Sequence, residues 1–206
     1  MLQFALSSLA AIFVILDPLG AVPIVLGMTE GYTEKRRNQI ILRACWVSLM
    51  ILLVFAVSGR FLLDLFGITL PAFRIAGGIL LLKIALDMLY AKRPQSHITK
   101  SEEEAGTDKE DIAIVPLAMP MLAGPATIAT VLVLMEQADN YAKSGIVLGS
   151  IFVTVLLTFL ILRSATFFFK LLGESGVKIT VRVMGLILLS LSVQFIAGGI
   201  KELFFS

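Results

Sequence analysis

The chain has 206 residues, 58% of them hydrophobic and only 16% charged, with a mean hydropathy of +0.95. A soluble domain usually carries about 25% charged and about 45–50% apolar residues, so this excess calls for a lipid surround. The net charge of +2 excludes a strong basic or acidic bias, so no nucleic-acid partner is expected, and a single cysteine, Cys45, with a single histidine, His97, excludes an intramolecular disulfide and Cys/His metal clusters.

About 20 predominantly apolar residues cross the hydrocarbon core as a helix. Six stretches meet this: 2–29, 40–63, 70–91, 112–136, 144–169 and 180–204. Their apolar runs are continuous rather than alternating over about ten residues, which excludes barrel strands. The expected fold class is therefore all-α, an integral membrane protein with six transmembrane helices.

No Lys or Arg precedes the first apolar run, so a cleavable signal peptide is not expected and residues 2–29 remain as the first span. Its middle reads Asp17-Pro18-Leu19-Gly20-Ala21-Val22-Pro23-Ile24. An interior proline costs about 3 kcal/mol because it removes a hydrogen bond and clashes with the preceding turn. Irregular backbone at membrane depth is tolerated where it is buried in protein or lines a cavity. The N–H groups that start a half-helix suit a carboxylate, and the carbonyls that end the one before it suit an ammonium group or cation. Asp17 directly precedes the break, and an ionisable residue deep in a span is functional by default. It is expected to face a substrate ammonium or carry a coupling proton, to cap the N–H of Gly20 or Ala21, or to do both.

The third span carries Arg74 near its start, and Lys83 and Asp87 four residues apart, where they can pair along one face. Residues 92–111 hold a dense run of charges that cannot enter lipid and form a solvated linker. The linker divides the chain into residues 1–91 and 112–206. The fourth span contains Met119-Pro120-Met121-Leu122-Ala123-Gly124-Pro125-Ala126-Thr127-Ile128, a second Pro/Gly interruption. Ser190, Ser192 and Gln194 on the sixth span, with Thr127 and Thr130 on the fourth, are candidates for a polar path or for interhelical hydrogen bonds.

The halves resemble each other. Pro18 maps on Pro125 at an offset of 107, and the Arg74/Gly77 pair recurs as Arg182/Gly185 at an offset of 108. Three spans per half is an odd number, so the second repeat is inverted relative to the first. Inverted repeats with paired broken helices are the sequence pointer to a transporter site at the membrane midplane. Expected substrate contacts are Asp17, Pro18, Gly20, Ala21, Gly124, Pro125 and Thr127. Asp17, Arg74, Lys83, Asp87, Arg182 and Gln194 are candidates for coupling or gating. The competing reading is a pair of Pro-kinked helices packed through small residues.

Orientation follows from basic residues flanking the spans. Twelve (Lys35, Arg36, Arg37, Arg43, Lys92, Arg93, Lys100, Lys109, Arg163, Lys170, Lys178 and Arg182) lie on one side against four (Arg60, Arg74, Lys143 and Lys201) on the other, which places both termini outside.

The Asp-Pro-Leu-Gly-x-x-Pro-Ile motif at 17–24, the run Pro71-Ala72-Phe73-Arg74-Ile75-Ala76-Gly77-Gly78 and the run Val115-Pro116-Leu117-Ala118-Met119-Pro120 through Pro125 resemble the MarC family over essentially the full length. The resemblance implies six helices in the bacterial inner membrane. It further implies proton-coupled transport of small neutral amino acids such as glycine or alanine. Many relatives carry Asn where this chain has Ala21. The function expected is a secondary transporter working by alternating access. The alternatives are an exporter or ion permease for another small solute, and a non-transporting structural or regulatory membrane protein. The sequence lacks a His-Glu-x-x-His pair and a Gly-x-Ser-x-Gly elbow, so neither an enzyme nor a cofactor is expected.

Overall fold

The computed structural model describes residues 1–29, 31–90 and 122–205. The charged linker at 92–111 and the opening of the expected fourth span, with Met119, Pro120 and Met121, lie outside the described residues. Seven helices are described: α1 Leu2–Leu16, α2 Pro18–Met28, α3 Glu34–Leu65, α4 Leu70–Leu89, α5 Pro125–Glu136, α6 Tyr141–Arg163 and α7 Ala165–Phe205. No strand occurs among the described residues.

Local chemistry sets most of the boundaries. The Thr33 hydroxyl accepts from the Arg36 N–H at 3.4 Å to open α3, and Asn140 accepts from the Lys143 N–H at 2.9 Å to open α6. Helix α3 closes on Gly67, whose φ of 65° lets the Ile68 N–H reach the Leu63 carbonyl at 2.9 Å. Helix α7 holds a break at Gly173 (φ 64°, ψ 176°), a conformation essentially confined to glycine.

Among the described residues, four helical stretches are long and apolar enough to cross a membrane: Leu2–Met28, Glu34–Leu65, Tyr141–Arg163 and Ser175–Phe204. Helix α4 has the length, but its 20 residues include Arg74, Lys83 and Asp87, and α5 is a shorter apolar helix. The expected fifth span ran to residue 169, whereas α6 ends at Arg163 and the chain turns at Ser164. The segment after that turn starts α7, and its last span begins at Ser175, ahead of the expected 180, because Gly173 breaks the helix there.

Two apolar clusters hold the bundle. The larger joins α1, α3, α5 and α6 through residues such as Ile12, Ile41, Leu52, Val131 and Ile151. The smaller joins α4 and α7 through Leu81, Ala85, Met184 and Leu188, and takes in Ile15 and Ala126. Around the outside, large apolar side chains stay uncovered, with Val57 76% and Phe61 69% exposed. Apolar exposure on this scale suits a lipid-facing surface.

Both chain termini gather at one end of the bundle. The Lys143 ammonium sits 5.6 Å from the Phe4 ring centroid, joining the starts of α1 and α6. Arg74 Nη1 lies 2.6 Å from Glu202 Oε1, joining the start of α4 to the end of α7.

Candidate functional site: two helix breaks and a cleft at the terminal end

The first break is a single residue wide. Asp17 adopts a left-handed conformation (φ 46°, ψ 61°) and ends α1 by donating its N–H to the Phe13 carbonyl at 3.1 Å. It then opens α2: Oδ1 accepts from the Gly20 N–H at 3.1 Å, and the Asp17 carbonyl accepts from the Ala21 N–H at 3.1 Å. Pro18 has no N–H, so the first turn of α2 is largely satisfied from within. Asp17 is 8% exposed, and Pro18, Gly20 and Ala21 are buried with it. A Cβ on Gly20 would meet the Asp17 carboxylate and come 2.6 Å from Met88 Cε, so both side-chain ends would have to shift to admit it.

The second Pro/Gly interruption, described from Leu122 onward, is built differently. Gly124 is extended (φ −72°, ψ 167°) and precedes Pro125, which opens α5. Glycine has no side chain with which to cap that turn, so the N-terminal pole of α5 keeps the attraction for an anion that Asp17 quenches in α2. Thr127 is 2% exposed, and the Thr130 hydroxyl donates to the Ala126 carbonyl at 2.8 Å. Helix α4 lies against this pole: a Cβ on Gly77 would stand 3.3 Å from the Pro125 carbonyl oxygen and from Ala126 Cα. Ile15, two residues before the first break, and Ala126, two residues after Gly124, share one apolar cluster with α4 and α7. The breaks thus border the same helix pair.

A cleft of about 400 Å³ opens between α1, α4, α5 and α7. Ala10 and Ile15, Thr130 and Gln137, and Leu191 and Phe195 line it, together with Arg74. Of the residues expected from sequence, Arg74 and Thr130 line this cleft; Asp17, Pro18, Gly20, Ala21, Gly124, Pro125 and Thr127 do not. The Arg74 guanidinium is 5.4 Å from the Phe195 ring centroid and pairs with Glu202. A Cβ on Gly198 would be 2.8 Å from Arg74 Nη2, so that glycine makes the shelf on which the guanidinium rests.

The other gating candidates are scattered. The Lys83–Asp87 pair is not formed among the described residues: Lys83 is exposed on α4 and Asp87 half-buried, and sequence spacing alone did not bring the two side chains together. Arg182 and Gln194 are exposed on α7, away from the cleft wall formed by Leu191 and Phe195. Ser192 is buried and donates to the Leu189 carbonyl at 2.7 Å. Glu202 and Phe195 escaped the sequence reading. An acidic residue in an otherwise apolar last turn was the available signal for Glu202.

The family described as MarC family integral membrane protein matches residues 2–204. The chain belongs to the MarC family. It is 40% identical over 200 residues to a UPF0056 membrane protein of Methanocaldococcus jannaschii, with 97% of each chain covered. It is 36% identical over 207 residues to the UPF0056 membrane protein YvbG of Bacillus subtilis, covering 99% of this chain and 97% of that one. A UPF0056 membrane protein of Aquifex aeolicus is 36% identical over 193 residues, with 94% and 90% covered. No solved structure matches the chain. This MarC protein is an integral membrane protein, in keeping with its apolar helices and its uncovered apolar exterior.

Proposed function

We propose that this MarC protein is a secondary transporter that moves small neutral amino acids of the glycine and alanine type across the bacterial inner membrane. It works by alternating access and is proton-coupled, with both termini outside. The observation that carries this reading is the left-handed Asp17 between two half-helices of one apolar span. A buried ionisable residue and a broken helix at membrane depth are each costly, and both are expected where a solute must be handled.

In this reading six spans form two inverted three-helix repeats. The helix neighbours support it: α2 packs against α7 as α5 packs against α4, and α2 against α6 as α5 against α3. Helices α3 and α6, and α4 and α7, join each span to its own repeat counterpart. Such exchanges are what a two-fold axis in the membrane plane would generate. One repeat rocks against the other around the paired breaks.

Uptake and counterflow of labelled glycine and alanine in proteoliposomes test the assignment. Transport that rises with an imposed pH gradient is the expected result. Purified protein that moves no amino acid in either direction overturns it.

A further inference from the structure

We propose that Arg74 is the carboxylate-binding group of the cleft at the terminal end, and that Glu202 holds its place until a solute arrives. The proposal deepens the transport reading by naming which part of a solute is recognised first. It rests on that reading only for the solute being an amino acid. The ligand class it defines is broader: small monocarboxylates with an apolar body.

Arg74 is the only charged side chain among the described residues lining the cleft. The walls contributed by Ala10, Ile15, Leu191 and Phe195 offer apolar contact and no second cation. A dicarboxylate would therefore bring a second negative charge that no cation of the cleft pairs, whereas a solute with one carboxylate would not. The guanidinium is held in a fixed plane by the Phe195 ring at 5.4 Å and by close approach to Gly198. A planar guanidinium presented in this way suits bidentate carboxylate recognition, which a lysine in its place could not match.

Its donors are only partly used. Nη1 takes Glu202 Oε1 at 2.6 Å, while Nε is buried without a hydrogen-bond partner. An unsatisfied buried donor is costly, so the internal pair leaves part of the guanidinium's hydrogen-bonding capacity unused. The Glu202 side chain is 48% exposed against 18% for Arg74, so it is the more weakly held member of the pair and can turn out into water. Exchanging one carboxylate for another leaves the charge around Arg74 unchanged. Binding then avoids the penalty of creating or uncovering a lone buried ion.

The loss of Glu202 from Arg74 removes the ion pair between the end of α7 and the start of α4, while Gly199 stays packed against Pro71 and Ile75.

The test uses the full chain in detergent, with equilibrium binding followed by thermal unfolding. The probes are sodium propionate and propionamide, which share an apolar body and differ in the carboxylate, with sodium chloride matching ionic strength. Propionate is expected to stabilise the protein in a saturable way, and propionamide is not. Arg74→Gln should abolish the propionate effect, and Arg74→Lys should weaken binding about tenfold by losing the planar fork. Glu202→Gln should bind propionate more tightly, because the internal competitor has lost its charge. A merely structural ion pair predicts weaker binding or none from that change, and Glu202→Gln leaves Arg74 in place should the Arg74 variants fail to fold. Equal effects of propionate and propionamide, no saturable effect of either, or a Glu202→Gln variant that binds no tighter than the parent overturns the proposal. The two readings fail separately. Arg74-dependent propionate binding without amino-acid transport sinks the transport assignment alone, whereas alanine transport indifferent to Arg74 and Glu202 sinks this one alone.

Discussion

The Asp17 carboxylate accepts the Gly20 N–H across the break between α1 and α2, so one residue ends a half-helix in the left-handed region and caps the next. Two roles, one conformational and one electrostatic, are thereby united in a single side chain. Asn shares both: it tolerates positive φ and caps helices about as well as Asp. Asp17→Asn is therefore expected to fold with stability within about 1 kcal/mol of the parent, whereas Asp17→Ala loses the cap at a cost of about 1–2 kcal/mol. Thermal unfolding in detergent checks this order. In proteoliposomes, Asp17→Asn should nonetheless impair proton-driven uptake, since an amide cannot carry a proton.

Gly20 and Gly27 lie on the same half-helix, yet they should respond oppositely to alanine. At Gly20 a Cβ meets the Asp17 carboxylate and Met88. The clash would push apart the break and the α4 side chain beneath it, costing about 1–3 kcal/mol as overpacking does. At Gly27 nothing lies within 4 Å of the added atom. Gly27→Ala should stabilise by about 0.5–1 kcal/mol through the entropy of the unfolded chain. Equal melting shifts for the two variants would contradict the packing described for Gly20.

Gly173 separates the segment after Ser164 from the last span at φ 64° and ψ 176°. Alanine there should cost about 1–3 kcal/mol, because that backbone region is nearly closed to residues with a Cβ. Gly149 on α6, with nothing within 4 Å of a Cβ, is the matched control and should tolerate alanine without loss. Comparative unfolding of the two variants decides it.

Membrane orientation is open to thiol labelling because Cys45, the chain's one cysteine, is 3% exposed and should stay silent. Tyr141 at the terminal end is 98% exposed, and Lys35 at the start of α3 is exposed at the opposite end. With both termini outside, an impermeant maleimide added to intact cells should modify Tyr141→Cys, and Lys35→Cys only after the membrane is opened. The reverse pattern would invert the orientation argued from basic residues.

Much of the break at Asp17 was legible beforehand. A carboxylate ahead of Pro18 and three residues before Gly20 is a local pattern, and capping is decided within one turn. Pro125 at the start of α5 follows from the same local rule. The Lys83–Asp87 pair did not follow, although the spacing allowed it, because a helical interval brings two side chains near one another without deciding their rotamers. The cleft was not legible at all. Its lining comes from residues as far apart in the chain as Ala10 and Phe195, and no local pattern relates them.

The sequence by itself determined that the chain lives in lipid and that its first span breaks at Asp17. It also showed that a second Pro/Gly interruption recurs about a hundred residues later. These follow from transfer free energies and backbone sterics, which act residue by residue. Only the tertiary structure decided that Arg74, rather than Arg182, turns inward to meet Phe195 and Glu202. Both arginines stand three residues before a glycine, Gly77 and Gly185, and only the packing of α4 on α7 through Gly198 gives one of them a shelf, a ring and a counter-charge.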